Sequence, residues 1–468
     1  MEPFIHLHVH TQYSLLDGQA SIDALINKAY DDGMRAIAVT DHGNMFGIKE
    51  FFNKVNKKNG KVQGTIKDLQ KELKTLSAKE ERTDEENARL AEIPGLLEKA
   101  KGDLFKPIIG CECYCARNHR LQKTEKEDRS GWHLIVLAKN MTGYKNLIKI
   151  VSQSWTEGFY GRPRIDKELL EQHREGLIVC SACLGGEIPQ KIMHGNIHAA
   201  EEAVLWFKQM FGDDYYLEMQ RHETHRADAD QTVYKHQVEV NKVLVELAHK
   251  HGIKVIATND VHFVNEEDAD AHDRLICLST GKDLDDPNRM RYTKQEWMKT
   301  TAEMNQIFSD IPDALRNTLE IADKVEFYSI DSGPIMPTFN IPEEFGTEEE
   351  YRKKLTEKDL FDEFTRDENG NVVLSQEDAE AKIKKLGGYD KLYRIKLEAD
   401  YLAKLTYEGA KPRYGDPLSD EVKERLNFEL HIMKTMGFPG YFLIVQDFIR
   451  AAREELGVSV GPGRGSAA

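Results

Sequence analysis

Apolar residues recur in two rhythms over the first half of the chain. From residue 4 to about 263, short β-rich runs ("FIHLHVHT", "RAIAVTDH", "KPIIGCECYCA", "WHLIVLAKN", "GLIVCSACL", "DYYLEMQ" and "KVIATNDVHF") alternate with stretches of helical spacing such as "SIDALINKAYDDG" and "QTVYKHQVEVNKVLVELAHKHG". That alternation predicts βα units on a parallel sheet or barrel. Seven such runs favour a barrel-like α/β domain over an open sheet. One connection departs from the pattern. Between Phe52 and Pro107 the chain is rich in Lys and Glu, with Ile66, Leu69, Leu73 and Leu76, then Leu90, Ile93, Leu97 and Ala100, at three- and four-residue spacing. "TDEE" from Thr83 reads as a capping box, so an antiparallel helical hairpin is expected over about 55–104, kinked at Pro94. It reads as a solvated insert or as an arm for a partner.

After His262 the alternation stops. Residues 264–330 read as helical and acidic, "SGPIMPTFNIPEEFG" as an extended linker, and 347–412 as a second charged stretch with its insert at about 347–395. Within it "DENGNVVL" looks like a calcium loop. Its first and twelfth ligands would be Thr365 and Gln376, so the required carboxylates are missing and an Asn-Gly hairpin turn fits better. The last segment, "VSVGPGRGSAA", combines a short strand "VSV", a glycine-rich turn and a helix start. It is no Walker A loop, since no Lys follows the last glycine. Backbone amides at Gly463, Arg464, Gly465 and Ser466 could still hold phosphate oxygens, and Arg464 adds charge. A chain that stops just after such a loop reads as truncated.

Composition narrows the class without fixing it. In 468 residues, 40% apolar and 31% charged, two or three soluble domains are expected, here 1–272 and 273–468. No run nears the roughly 20 apolar residues of a membrane span and no signal segment precedes the first strand, so a cytoplasmic location is expected. A net charge of -16 excludes a protein-wide basic field for nucleic acid while leaving a local groove open. Six cysteines in so long a chain form no disulfide framework.

Chemistry concentrates at the strand ends, where a parallel barrel builds its active site. The first strand presents His8 and His10, with Asp17 in the loop behind; the second Asp41 and His42; the third Glu112; the fourth His133; the fifth leads to Cys183; the seventh ends with Asp260 and His262. Residues i and i+2 share a strand face, so His8 with His10 and Asp260 with His262 form chelating pairs. Imidazole, carboxylate and thiolate together suit Zn, Mn or Fe better than Mg or Ca. The donors exceed the needs of one ion and fit two or three, bridged by carboxylates. His6 lies deeper as a packing group, and His222 reads as a surface residue or a substrate contact. Cys111, Cys113 and Cys115 alternate to the face opposite Glu112, which makes them packing thiols.

These motifs, "HLHVHTQYSLLDG", "AVTDHGNMFG", "PIIGCE", "HLIVLAKN", "SACLGG" and "ATNDVHF" in this order, resemble the PHP (polymerase and histidinol phosphatase) domain in the version that begins the bacterial DNA polymerase III alpha subunits. "TGKDLDDPNRMRY", "IPDALRNTLEIADKVEF" and "MGFPGYFLIVQDFIRAAREELGVSVGPGRGSAA" resemble the start of that family's polymerase core. The resemblance implies a distorted (β/α)7 barrel followed by a mostly helical palm and thumb beginning. It also implies that all nine strand-end donors are metal ligands, and that the domain is a metal-dependent phosphoesterase with 3'-5' exonuclease activity. Asp41 would orient a ligand imidazole or shuttle a proton. Further implications are a glycine-rich loop facing the nucleoside triphosphate, primer-template DNA as substrate, and replicase partners including a sliding clamp and an exonuclease subunit. The palm aspartates that would hold Mg for nucleotide addition lie beyond this chain. A metal-stabilised scaffold that docks an exonuclease and a free-standing PHP phosphatase are the alternatives.

Overall fold

The computed structural model describes residues 1–79, 81–333, 335, 337–461 and 463. They form two compact units, Met1–Asp331 and Ser332–Ala468. The division falls later than the boundary expected at residue 272, because residues 298–325 contribute Met298, Met304, Phe308, Leu315 and Ile321 to the core of the first unit.

The first unit is built on seven strands: β1 (Ala36–Val39), β2 (Lys106–Cys115), β3 (Trp132–Ala138), β4 (Arg164–Ile165), β5 (Leu177–Cys180), β6 (Tyr215–Met219) and β7 (Lys254–Ala257). They hydrogen-bond in the order β1-β2-β3-β5-β6-β7, and the two-residue β4 pairs with the end of β2. Around them lie α1 (Ile22–Asp31), α2 (Ile48–Ser77), α3 (Asp84–Gly102), α4 (Met141–Thr156), α5 (Lys167–Gln172), α6 (Glu187–Met193), α7 (Ile197–Phe211), α8 (Val233–His251), α9 (Ala269–Thr280), α10 (Thr301–Ile307) and α11 (Pro312–Lys324).

Residues 4–11 close the curled sheet. The Ala38 and Thr40 amides donate to the His6 and Val9 carbonyls at 2.9 and 2.8 Å, while Val261 donates to His8 O and His10 to Val261 O at 3.1 and 2.7 Å. The opening segment therefore lies between β1 and the chain after β7. It is extended but not a regular strand, because the Val9 amide is taken by the Thr40 hydroxyl and not by a carbonyl. A single parallel bridge, Val9 to Val261, remains.

The sheet is not wholly parallel. β3 runs antiparallel to both β2 and β5. Between β2 and β3 the chain has only a single turn of 3-10 helix, Lys126–Arg129, too little for the crossover that a parallel neighbour needs. The reversal matters for the site, since it brings the start of β3, rather than its end, to the level of the other strand ends.

The inserted hairpin forms as the spacing predicts. Thr83 caps α3 in a reciprocal box with Glu86, and Leu69, Leu76, Ile93 and Leu97 make a small core of their own between α2 and α3. The helix continues through Pro94.

The second unit is helical: α12 (Glu348–Lys354), α13 (Glu357–Thr365), α14 (Gln376–Lys385), α15 (Tyr389–Tyr414), α16 (Asp420–Thr435) and α17 (Pro439–Arg450). Leu360, Phe364, Ile383, Leu392 and Tyr393 form its core. "DENGNVVL" is the expected turn: the Asp367 amide donates to Asn371 O at 3.1 Å and Gly370 takes a φ of +81°. Residues 458–460, expected as a strand, are not one; among the described residues no neighbouring strand offers them a ladder, and an unpaired strand is not stable alone. Among the described residues no helix is long and apolar enough to cross a membrane.

Ile93 is fully buried in the hairpin core. Ile93→Ala should cost this arm about 2–5 kcal/mol. Amide exchange should accelerate in the outer half of α2 and in α3 while the sheet amides keep their protection. Unchanged protection in both helices would contradict this packing.

Candidate metal centre

The alternation in "CECYC" sets the centre of the site. Cys111, Cys113 and Cys115 enter the apolar core, so Glu112 projects to the other face of β2, where it is fully buried. Its Oε1 lies 2.7 Å from His133 Nδ1, 3.4 Å from His8 Nε2 and 3.9 Å from Cys183 Sγ. Its Oε2 contacts His42 Nδ1 and lies 3.6 Å from His10 Nε2. Asp260 Oδ1 stands across from it, 3.1 Å from His8 Nε2 and 3.2 Å from His10 Nε2. Asp17 completes the other side, with Oδ2 2.9 Å from His42 Nε2 and Oδ1 3.9 Å from His262 Nε2. Within this cluster three groups have donor atoms close enough together to hold ions: His8, His10 and Glu112; His10, His42 and His262; and Glu112, His133 and Cys183.

Three of the imidazoles are aimed by a contact on the far nitrogen. His8 Nδ1 meets Glu218 Oε1 at 2.6 Å, and that carboxylate also accepts from Thr258 and Gln220. The Ser14 hydroxyl donates to Asp41 at 2.8 Å, so its oxygen is left to receive His10 Nδ1–H at 2.9 Å. His262 Nδ1 meets the carbonyl of Asp260 at 2.8 Å. In each case Nε2 is the nitrogen turned toward Glu112, Asp17 or Asp260, the orientation a metal ligand needs.

Electrostatics in the cluster favour a cation. Burial disfavours the ionised Glu112, but His133 and His42 outweigh it and hold its carboxyl well below the usual range. Burial likewise opposes a charge on His8, yet Asp260 and Glu218 raise it well above an ordinary imidazole. His10 is pushed down to about 3 by burial and by its neighbours His42 and His262. Carboxylates that draw protons onto buried imidazoles draw a divalent ion for the same reason.

The unpartnered atoms test the fit. His8 Nε2, His10 Nε2, His42 Nδ1, Glu112 Oε2, Asp260 Oδ1, His262 Nε2 and His272 Nε2 are buried without a hydrogen-bond partner. A buried polar atom left unmatched costs about 1–3 kcal/mol, and coordination by the nine donors would satisfy all of these but His272 Nε2, which stands 3.8 Å from Asp17 Oδ1. The backbone is strained in the same place. Leu16, Ala182 and Asp260 are three of the four non-glycine residues with positive φ among those described, and they adjoin or belong to the Asp17, Cys183 and Asp260 positions.

Comparison with known proteins finds two matching family models. Residues 6–222 match the family model described as the PHP domain, and residues 400–468 match that of the bacterial DNA polymerase III alpha NTPase domain. Over 99% of its length the chain is 38% identical to the DNA polymerase III subunit alpha of Borreliella burgdorferi, covering 32% of that protein. Over nearly its whole length the chain is similar to DNA polymerase III alpha subunits. It is 35% identical to those of Treponema pallidum and Thermus aquaticus, over 99% of this chain and over 31% and 35% of theirs. The chain spans about a third of the length of the relatives it matches.

Of the nine expected donors, five line one cleft, and His8, His10, Asp17 and Glu112 each lie within 3.2 Å of one of those five. The cleft, about 510 Å³, is lined by His42, His133, Cys183, Asp260 and His262 and by the loop from Arg289 to Glu296. Asp41 reaches His10 through Ser14, and not its chain neighbour His42; it is itself fixed by the Thr11 amide at 2.7 Å. His6 is fully buried with Nε2 2.7 Å from Lys299 O, a packing position as expected. His222 is not a surface residue. It is buried at the cleft wall, with Nδ1 accepting from Gln237 and Nε2 donating to Asn259 O. Arg464, Gly465 and Ser466 lie outside the described residues, and Gly463 has no regular structure.

Three residues at the site were not read from the sequence. Glu218 was legible in principle, as a charge within the apolar run of β6. His272 on α9 stands 3.8 Å from Asp17, and the Tyr292 hydroxyl donates to Asp17 at 2.9 Å. Both come from the region after the strand–helix alternation, where no periodicity marks them.

Divalent metal should stabilise the first unit. At 100 times its dissociation constant one ion adds about 2.7 kcal/mol, so Mn or Zn should raise Tm and a chelator should lower it. A Tm indifferent to both would contradict a metal centre here.

Proposed function

We propose that the cluster holds two or three divalent ions and hydrolyses phosphodiesters, trimming 3' ends of DNA within a replicative polymerase. The observation that supports it most is the set of buried, unpartnered donor atoms converging on Glu112 and Asp260. In this reading His8, His10, Asp17, His42, Glu112, His133, Cys183, Asp260 and His262 are the ligands, with Glu112 able to bridge. The mixed nitrogen, oxygen and sulfur set favours Zn, Mn or Fe.

When bound, such ions acidify a water and neutralise charge on the phosphate. The chain's own groups do the rest. Glu218 and Ser14 hold the His8 and His10 rings in one tautomer, and Asp41 anchors Ser14. The Tyr292 hydroxyl holds Asp17 in place. Arg291 lines the cleft, where a phosphate oxygen would find its charge.

The parent activity follows from the relatives. We assign the whole protein as a DNA-directed DNA polymerase, a nucleotidyltransferase of the cytoplasmic replicase using Mg, primer-template DNA and deoxynucleoside triphosphates. Residues 1–272 would be its PHP part and 273–468 the beginning of its polymerase core, with Gly463 to Ser466 at the nucleotide. Other replicase subunits, among them a sliding clamp and an exonuclease, are the expected partners.

Two variants test the hydrolytic reading. His8→Ala with His10→Ala should lose both bound metal and Mn-dependent trimming of a mismatched primer. Trimming at the unmodified rate would exclude this centre, and metal loss with a lower Tm but no hydrolysis in the unaltered protein would favour the scaffold role. Glu218→Gln should weaken metal binding about 10- to 100-fold in chelator competition; unaltered affinity would remove Glu218 from the support of His8.

A further inference from the structure

A shelf of exposed aromatic rings adjoins the cleft on the His42 side. Trp155, Phe159 and Phe46 are 44%, 46% and 60% exposed. Trp155 and Phe159 stack at 14° with centroids 5.4 Å apart, and Phe46 leans on Trp155 at 6.4 Å. The shelf is tied to the site. The Trp155 indole N–H donates to Gly43 O at 2.8 Å, one residue from His42, and the Gly43 amide donates to Glu112 O at 2.8 Å. Trp155 is therefore held at a fixed angle beside the metal-facing imidazole.

Two arginines stand beside the shelf in a protein of net charge -16. Arg162 and Arg129 are exposed, and their guanidinium groups lie over the Tyr114 and Tyr160 rings at 5.6 and 5.7 Å. Neither is ion-paired among the described residues. Tyr114 in turn stacks beside His42 at 6.2 Å, so a line of ring and charge runs from Arg162 to the cluster.

We propose that this shelf is a stacking site for the unpaired bases of a single-stranded nucleic acid whose backbone passes Arg129 and Arg162 toward Glu112. The inference rests on the phosphodiesterase reading above and names the form of its substrate: an end already separated from its complement. Flat, fixed rings accept any base face, and flanking arginines track the phosphates, the combination that sequence-tolerant single-strand binding requires. An apolar protein partner would leave two exposed, unpaired arginines to be desolvated at its margin, which disfavours that occupant.

The test is equilibrium binding of a fluorescein-labelled, phosphorothioate-linked twelve-nucleotide oligothymidylate to the full chain, followed by anisotropy. An abasic strand of the same length and linkage is the comparison. Phe46→Ala with Phe159→Ala spares the Trp155 hydrogen bond, and should weaken binding of the base-bearing strand about tenfold or more while abolishing the preference over the abasic strand. Arg162→Gln should lower the slope of log affinity against log salt by about one. Equal binding of both strands by the unaltered protein, or undiminished binding by the double phenylalanine variant, overturns the proposal and leaves the shelf as a protein-docking face. Only binding is read, to strands that resist hydrolysis. A failure of the shelf is thus distinct from a failure of the hydrolytic reading, which shows in the His8 and His10 variant.

Discussion

One fully buried carboxylate organises the first unit. Glu112 lies against His133 and His42, with His8 and His10 within 3.6 Å, in a place where an ionised group survives only if it is paired. The main departures from a simple parallel barrel serve that pairing. Residues 4–11 leave the regular ladder but lodge between β1 and the chain after β7, which sets His8 and His10 beside Asp260. β3 reverses direction, and the reversal carries His133, near its start, to Glu112.

A ring of supporting contacts turns this proximity into defined geometry. Glu218, Ser14 with Asp41, and the Asp260 carbonyl each occupy one ring nitrogen and leave the other free. The same region gathers buried polar atoms without hydrogen-bond partners and positive φ at Leu16, Ala182 and Asp260. Stability is given up locally for a centre that is ready to bind.

What could be read in the sequence follows from how local its cause was. The pairs His8/His10 and Asp260/His262 stand out because a two-residue period gives up packing positions, and Glu112 stands out because its flanking cysteines alternate to the core. The hairpin insert was legible from its 3-4 spacing and from Thr83 and Glu86. Strand direction was not, since "WHLIVLAKN" reads the same in a parallel or an antiparallel place, and only the short link before it hints at the reversal. His222 looked like a surface residue in a polar segment, yet it is buried by contacts with Gln237 and Asn259 that are distant in the chain. His272 and Tyr292 reach Asp17 from more than 250 residues away, a pairing no local pattern records. The "VSV" strand lacked the partner a strand needs.

In the proposed centre Glu112 would lie between metal ions. Anomalous diffraction from crystals grown with Mn or Zn, recorded at the absorption edge of the metal, tests it directly. The expected result is a peak on each side of the Glu112 carboxylate, about 2.0–2.2 Å from its oxygens, one shared with His133 and Cys183 and another with His10, His42 or His262. No peak in the cleft, or peaks for which Glu112 is not a ligand, would contradict it.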